Sequence, residues 1–209
     1  VELRNVTFGY GDKPVLVDVA FHARSGTVTA IVGPSGSGKT TIARLISRFW
    51  DVDSGSVMVD GVDIRELGTE QLMSRLSMVF QDVYLFDDSL IANIRVGRPD
   101  ASDEEVFRAA DLSGVTSIAN RLGWHTPVGE GGRLLSGGER QRVSVARALL
   151  KQAPIVLFDE ATSALDAENE ANILAAMDEL REQSTFIVIA HKLDTCLLYT
   201  SPSPRDATL

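Results

Sequence analysis

The sequence predicts an α/β fold: a mainly parallel sheet, an antiparallel β part near the N-terminus, and an inserted α-helical segment. Three observations predict it. The runs Ile155–Phe158 and Thr185–Ala190 are apolar without alternation and too short for helices, as strands buried on both faces are. Helical periodicity lies before and between them, so helices cover the sheet. Near the N-terminus, Asp60-Gly61 stands between Val57–Val59 and Val62–Ile64, a hairpin signal because both turn residues tolerate φ > 0.

Taken in order, Val1–Phe8, Asp18–Ala23 and Thr27–Val32 are β-rich. Thr40–Phe49 reads as a helix through Ile42, Leu45, Ile46 and Phe49, and Leu76–Phe80 as a short strand. From Ser89 to Leu149 the pattern is helical. Within it, Ser102 and Glu105 suit a capping box opening the helix Asp103–Leu112. Gly129-Glu130-Gly131-Gly132 interrupts the pattern, and a further helix runs from about Gly137 to Lys151. Between the two apolar strands, Ala167–Gln183 carries a helical stripe of Ile173, Leu174, Met177 and Leu180.

Composition excludes several classes of function. With 209 residues, 44% hydrophobic and 23% charged, the chain can bury a core. Its net charge of −9 argues against a free-standing nucleic-acid binder, whose phosphate contacts need clustered Lys and Arg. Cys196 is the single cysteine, so a disulfide within the chain and a Cys-based metal site are excluded, which fits a reducing compartment. No window approaches the ~18 apolar residues of a membrane-spanning helix. Val1 opens in strand-like sequence without a Met, which reads as a start inside a longer protein.

Gly33-Pro34-Ser35-Gly36-Ser37-Gly38-Lys39-Thr40 fits the P-loop pattern, and its context is right: a strand before it and a helix after it. Glycines let the backbone wrap phosphates with N–H groups pointing inward, and the helix offers its N-terminus to the anion. Lys39 can reach the β- and γ-phosphates, and the Thr40 hydroxyl can ligate Mg²⁺. Asp159 and Glu160 end an apolar strand, at the carboxyl edge of a parallel sheet where ligands bind. Asp159 can hold Mg²⁺ through water, and Glu160 can orient or deprotonate an attacking water. An acidic pair in that place is ordinarily a solvated turn or cap; the P-loop upstream favours chemistry.

Leu135-Ser136-Gly137-Gly138-Glu139 narrows the field. It resembles the signature motif of ABC ATPases. From Val1 to about Thr195 the chain is similar to an exporter-type ABC nucleotide-binding domain. That resemblance implies a P-loop NTPase (RecA-like) core at 1–81 and 151–195, with the helical subdomain at 82–150. It implies ATP and Mg²⁺ as ligands, with Gly33 to Thr40 and Thr41 on the nucleotide and Thr40, Gln81 and Asp159 around the metal. Tyr10 takes the place of the aromatic that stacks on adenine. Gln81 belongs to the Q-loop, which senses Mg²⁺ and the membrane domain. Thr126-Pro127-Val128-Gly129-Glu130 resembles the X-loop, Ser163-Ala164-Leu165-Asp166 the D-loop, and His191 the histidine that contacts the γ-phosphate. Lys39, Gln81, Glu160 and His191 are thus the implied catalytic set.

The resemblance also implies partners. Two such domains bind head to tail, with ATP between one P-loop and the Ser136, Gly137, Gly138 and Glu139 of the other. Ser136 and Glu139 form an S-x-x-E capping box, so the signature is a helix N-terminus suited to a γ-phosphate. A membrane domain of the same transporter, at the cytoplasmic face of a membrane, is the second partner. Many exporters carry Gln at position 139; either side chain completes the box. Lys192 stands where Arg is common, and Trp50 where Tyr is usual.

Other residues read as structural. His22 and His125 keep a structural reading, and Met58, Met73, Met78 and Met177 look like core filler. Tyr84-Leu85-Phe86 is balanced between core and a docking place for a coupling helix. Chromosome-maintenance ATPases share the signature but place a long coiled coil before it. Here under a hundred residues without heptads separate Lys39 from Ser136. An importer subunit is disfavoured by the X-loop-like segment. Finally, Cys196–Asp206, within the stretch 196–209, resembles a one-frame translation of a transposon-end sequencing adapter, so that stretch reads as non-native.

Overall fold

The structure is a computed structural model and describes residues 1–80, 82–159, 178, 180 and 184–190. Gln81, Glu160, the D-loop-like Ser163–Asp166, His191 and the Cys196–Asp206 string lie outside the described residues, as does most of the expected helix over 167–183.

The described residues form two compact units, one made of Val1–Ser77, Ala153–Asp159 and 184–190, the other centred on Met78–Gln152. The first unit opens with an antiparallel sheet of order β2-β1-β4-β5, built from β1 (Glu2–Phe8), β2 (Leu16–His22), β4 (Ser54–Val59) and β5 (Val62–Asp63). Strict alternation fails in β1, where Leu3, Val6 and Phe8 are the buried residues. The register against β2 shifts between Leu3 and Val6, and Asn5 takes φ 47° there. This irregularity lets residues three apart face one core. It also requires Gly55 opposite: a Cβ there would lie 2.3 Å from the Arg4 carbonyl oxygen. The Asp60-Gly61 turn joins β4 and β5 with φ of 52° and 79°, as the hairpin signal requires.

The parallel sheet has the order β3-β8-β7-β6, from β3 (Val28–Val32), β6 (Leu76–Val79), β7 (Ile155–Asp159) and β8 (Thr185–Ala190). β8 pairs in parallel with both β3 and β7. Every residue of β7 and β8 is buried, which is why neither run alternates. β3 stands at the end of the order, and Ala30 and Val32 are exposed.

Helix α1 spans Lys39–Ile46, ending three residues before the apolar pattern predicts. Arg48 adopts φ 52°, which ends the helix, and Phe49 is left exposed. Ile64 turns into a 3-10 segment, Ile64–Glu66, because the Asp63 carboxylate accepts from the Arg65 N–H. Thr69–Arg75 forms α2, an element the sequence pattern did not single out.

The second unit is helical, as its periodicity implies. Helices α3 (Leu90–Arg95), α4 (Asp103–Leu112) and α5 (Val115–Leu122) all contact the long α6 (Gly137–Lys151). The Ser102–Glu105 capping box is present with both of its hydrogen bonds. Gly97 lets the chain after α3 lie against α6: a Cβ there would lie 2.3 Å from the Arg147 carbonyl oxygen. Met58, Met73 and Met78 are half-buried rather than core.

Candidate functional site

The phosphate-type loop forms in the first unit as its sequence requires. Gly36 and Gly38 take φ of 79° and 88°, a region that costs other residues strain. A Cβ on Gly38 would also meet Leu16 Cδ2 at 2.7 Å, so this position is fixed by space as well as by dihedral. Gly38 is the N-cap of α1, and no side chain caps it. The Lys39 side chain is buried and folds back over the loop, its Nζ donating to the Pro34 carbonyl at 2.8 Å. A buried ammonium held on a carbonyl of a glycine-rich loop at a helix N-terminus is a cation placed to meet an anion.

Tyr10 stands beside this loop. Its hydroxyl lies 3.3 Å from the Thr41 hydroxyl on the first turn of α1. Its ring meets Phe8 and Trp50 edge-on, with centroids 5.0 and 5.5 Å apart. These contacts fix the ring while leaving 47% of the residue exposed, so a flat surface remains for stacking. Trp50, where Tyr is usual in the resembling family, completes the edge-on support.

The strand ends that precede the other candidates are brought together by register. Val32, the last residue before the loop, pairs with Ala190, and Asp159 pairs with Ile189. The strand that leads to His191 therefore finishes beside the strand that leads to Gly33, with the strand that leads to Glu160 on its other side. Asp159 is buried at that edge. The oxygen chemistry of Thr40 and Asp159 suits a hard divalent cation such as Mg²⁺, which takes one or two carboxylates and keeps several waters.

In the second unit, Ser136 caps α6. Its Oγ accepts from the Glu139 N–H at 3.2 Å, and the Glu139 carboxylate accepts from the Ser136 N–H at 2.8 Å. The Glu139 carboxyl is held below its usual range: burial pushes it up, but the Ser136 N–H and the Arg121 guanidinium outweigh that. Ser136 and Gly137 are exposed, and a Cβ on Gly137 would touch nothing within 4 Å. The helix end is thus open to a large anion.

The segment 84–89 is held on two sides. Ser89 bridges Pro127, and the Val128 N–H donates to the Asp88 carbonyl, so it runs beside the X-loop-like residues. On the other side Arg147 of α6 donates to the Tyr84 and Asn93 carbonyls and to Asn93 Oδ1. Burial lowers the Arg147 guanidinium to about 10, leaving it charged at neutral pH. Of Tyr84-Leu85-Phe86, Leu85 is fully buried and takes the core reading, whereas Tyr84 and Phe86 are exposed and pack edge-on. Asn93 and Arg147 escaped the sequence reading, since a polar residue in a helical stripe carries no signal of its own.

Residues 16–163 match the family model described as "ABC transporter". This chain belongs to the ABC transporter family. The chain is 49% identical over 198 residues to the Beta-(1-->2)glucan export ATP-binding/permease protein NdvA of Agrobacterium fabrum, covering 93% of this chain and 34% of that protein. It is 48% identical to the mitochondrial Iron-sulfur clusters transporter ATM1 of Yarrowia lipolytica, covering 93% of this chain and 28% of that protein. The Mycobactin import ATP-binding/permease protein IrtB of Mycolicibacterium smegmatis is 50% identical, covering 92% of this chain and 34% of its own length. Among solved structures, a bacterial Atm1-family ABC exporter with ATP bound superposes with a TM-score of 0.88 at 46% identity, over 93% of this chain and 34% of that one. The chain spans about a third of the length of these ABC relatives. The expected ABC ATPase fold and exporter-type class both stand on these matches. Among the described residues no helix is long and apolar enough to cross a membrane.

Proposed function

We propose that this ABC domain binds Mg-ATP between its own phosphate loop and the signature of a second domain, hydrolyses it, and drives transport through an attached membrane domain at the cytoplasmic face. The observation that carries the proposal is the exposed, capped N-terminus of α6 in a chain that also holds a complete phosphate loop. One domain supplies Lys39, the Gly33–Thr40 backbone and the Tyr10 surface; the other supplies Ser136, Gly137, Gly138 and Glu139. Neither half encloses a triphosphate alone.

Each residue's task follows from its chemistry. Lys39 gives up its Pro34 partner for the β- and γ-phosphate oxygens. Thr40, Asp159 and Gln81 would hold Mg²⁺, which when bound neutralises charge on the phosphates. Glu160 takes a proton from the attacking water, and His191 donates to a γ-phosphate oxygen. The four relatives' names speak of export of glucan, transport of iron-sulfur clusters, import of mycobactin and ATP-bound export. The shared part is therefore the motor, and the cargo is selected elsewhere.

The test is complementation between two dead sites. A Ser136→Arg chain mixed with a Lys39→Ala chain retains one intact composite site per heterodimer. That mixture should form more ATP-dependent dimer than either variant alone, measured by light scattering. If the unsubstituted domain stays monomeric in Mg-ATP, alone and within its full-length transporter, the head-to-tail reading fails.

A further inference from the structure

Glu139 poses an electrostatic problem. A glutamine at this position would complete the capping box with a neutral acceptor. Glutamate does the same but adds a full negative charge to the first turn of α6. In the head-to-tail reading, on which this inference rests, a triphosphate must approach that same turn. Two anions compete for one helix N-terminus, and the carboxylate is held in its charged form there.

The fold supplies a counter-charge from a neighbouring helix. Arg121, in the last turn of α5, donates from Nη2 to Glu139 Oε1, while the other oxygen, Oε2, accepts from the Ser136 N–H. Both carboxylate oxygens are thereby engaged, one by the cap and one by the guanidinium. The placement of Arg121 is itself fixed. Arg142 of α6, buried, donates to the Gly114 carbonyl at 3.0 Å and the Ser117 hydroxyl at 3.2 Å, which pins the start of α5 to α6. The Arg121 side chain stays 52% exposed, against 16% for Glu139. A pair so open to solvent adds little to stability. Its effect falls instead on the charge presented at the helix end.

We propose that Arg121 is a positioning residue of the trans ATP site. It neutralises Glu139 and holds it on the cap, so that the signature helix receives a triphosphate as it would with a glutamine in that place. Arg121 touches no nucleotide in this account; it acts through Glu139 alone.

The test is a double-mutant cycle in the full chain: unsubstituted, Arg121→Ala, Glu139→Gln and the double variant, with Arg121→Lys as the conservative change. The readout is the Mg-ATP concentration giving half-maximal dimer, with thermal unfolding in parallel. In the unsubstituted background Arg121→Ala should raise that concentration about five- to tenfold, and Arg121→Lys by less. In the Glu139→Gln background Arg121→Ala should change it by less than about twofold. The fivefold effect should shrink at about 0.5 M salt, where the Debye length falls to a few ångströms. An equal rise in both backgrounds, or no rise in either, overturns the proposal and leaves the head-to-tail reading standing. Absence of ATP-dependent dimer in the unsubstituted chain overturns both.

Discussion

The Tyr10 hydroxyl reaches the Thr41 hydroxyl at 3.3 Å, tying the exposed aromatic to the first turn of the helix behind the phosphate loop. The contact fixes the ring beside the loop, and Phe8 and Trp50 hold it edge-on.

Tyr10→Ala should therefore weaken nucleotide binding by about 1–3 kcal/mol, the range for base–aromatic stacking. Tyr10→Phe keeps the stack and loses only the hydroxyl contact, so it should retain most of the affinity. Because stacking accepts any purine, GTP should compete with ATP within about an order of magnitude. Titration with a fluorescent ATP analogue checks all three. Unchanged affinity in Tyr10→Ala would return this residue to a structural role.

Hydrolysis should depend on Glu160 and triphosphate capture on Lys39. A general base contributes about 10²–10⁴-fold in rate, so Glu160→Gln should turn over that much more slowly while still binding Mg-ATP and holding the dimer closed. Lys39→Ala removes the cation that folds over the loop onto Pro34 and should weaken triphosphate binding more than diphosphate binding. Phosphate-release assays beside equilibrium binding separate the two effects. Near-normal turnover in Glu160→Gln would assign the base elsewhere.

Most of the architecture was legible because its signals are local. The Asp60-Gly61 turn, the Ser102 and Ser136 capping boxes and the unbroken strands each follow from a few adjacent residues, and each formed where expected. The misses were single dihedral choices and long-range contacts. Phe49 fits the α1 stripe, yet Arg48 turns left-handed and leaves it outside the helix. Leu3 and Val6 share a core face only because Asn5 bulges against Gly55. At the site, the loop and signature were readable as motifs. The Arg121–Glu139 and Arg147–Asn93 contacts were not, since each joins residues far apart in sequence.

Asn93 shows what such a contact is worth. Its side chain is buried; Oδ1 accepts from the Phe86 N–H and Arg147, and Nδ2 donates to the Phe86, Asp88 and Ser89 carbonyls. Asn93→Ala strips partners from a half-buried guanidinium and from the backbone of 86–89. It should cost about 1–3 kcal/mol in urea unfolding, and more if the guanidinium finds no water. Asn93→Asp keeps an acceptor facing Arg147 but turns an oxygen toward the three carbonyls that Nδ2 serves, so it should rescue little of that loss. Gly97→Ala should cost about 1–3 kcal/mol by the separate route of overpacking against the Arg147 carbonyl. Equal stability of Asn93→Ala and the unsubstituted chain would show that the network is replaced by solvent.

The cap on α6 gives a pH dependence with a definite sign. Glu139 is held below its ordinary value of 4.5, so its charged form favours the folded state. The stability it contributes is fully present above about pH 4.5 and is lost as pH falls through its lower folded-state value. Glu139→Gln retains the neutral cap but not this charge. The stability difference between the two chains should thus hold constant from about pH 7 to about pH 5 and narrow below it. Arg121→Ala removes one of the two groups that lower the carboxyl, so in that variant the total narrowing should be smaller and should be complete at a higher pH. Urea unfolding across the pH series gives the comparison. A difference that widens in acid would mean that the protonated carboxyl is the better cap, and that Arg121 and Ser136 do not hold Glu139 in its charged form.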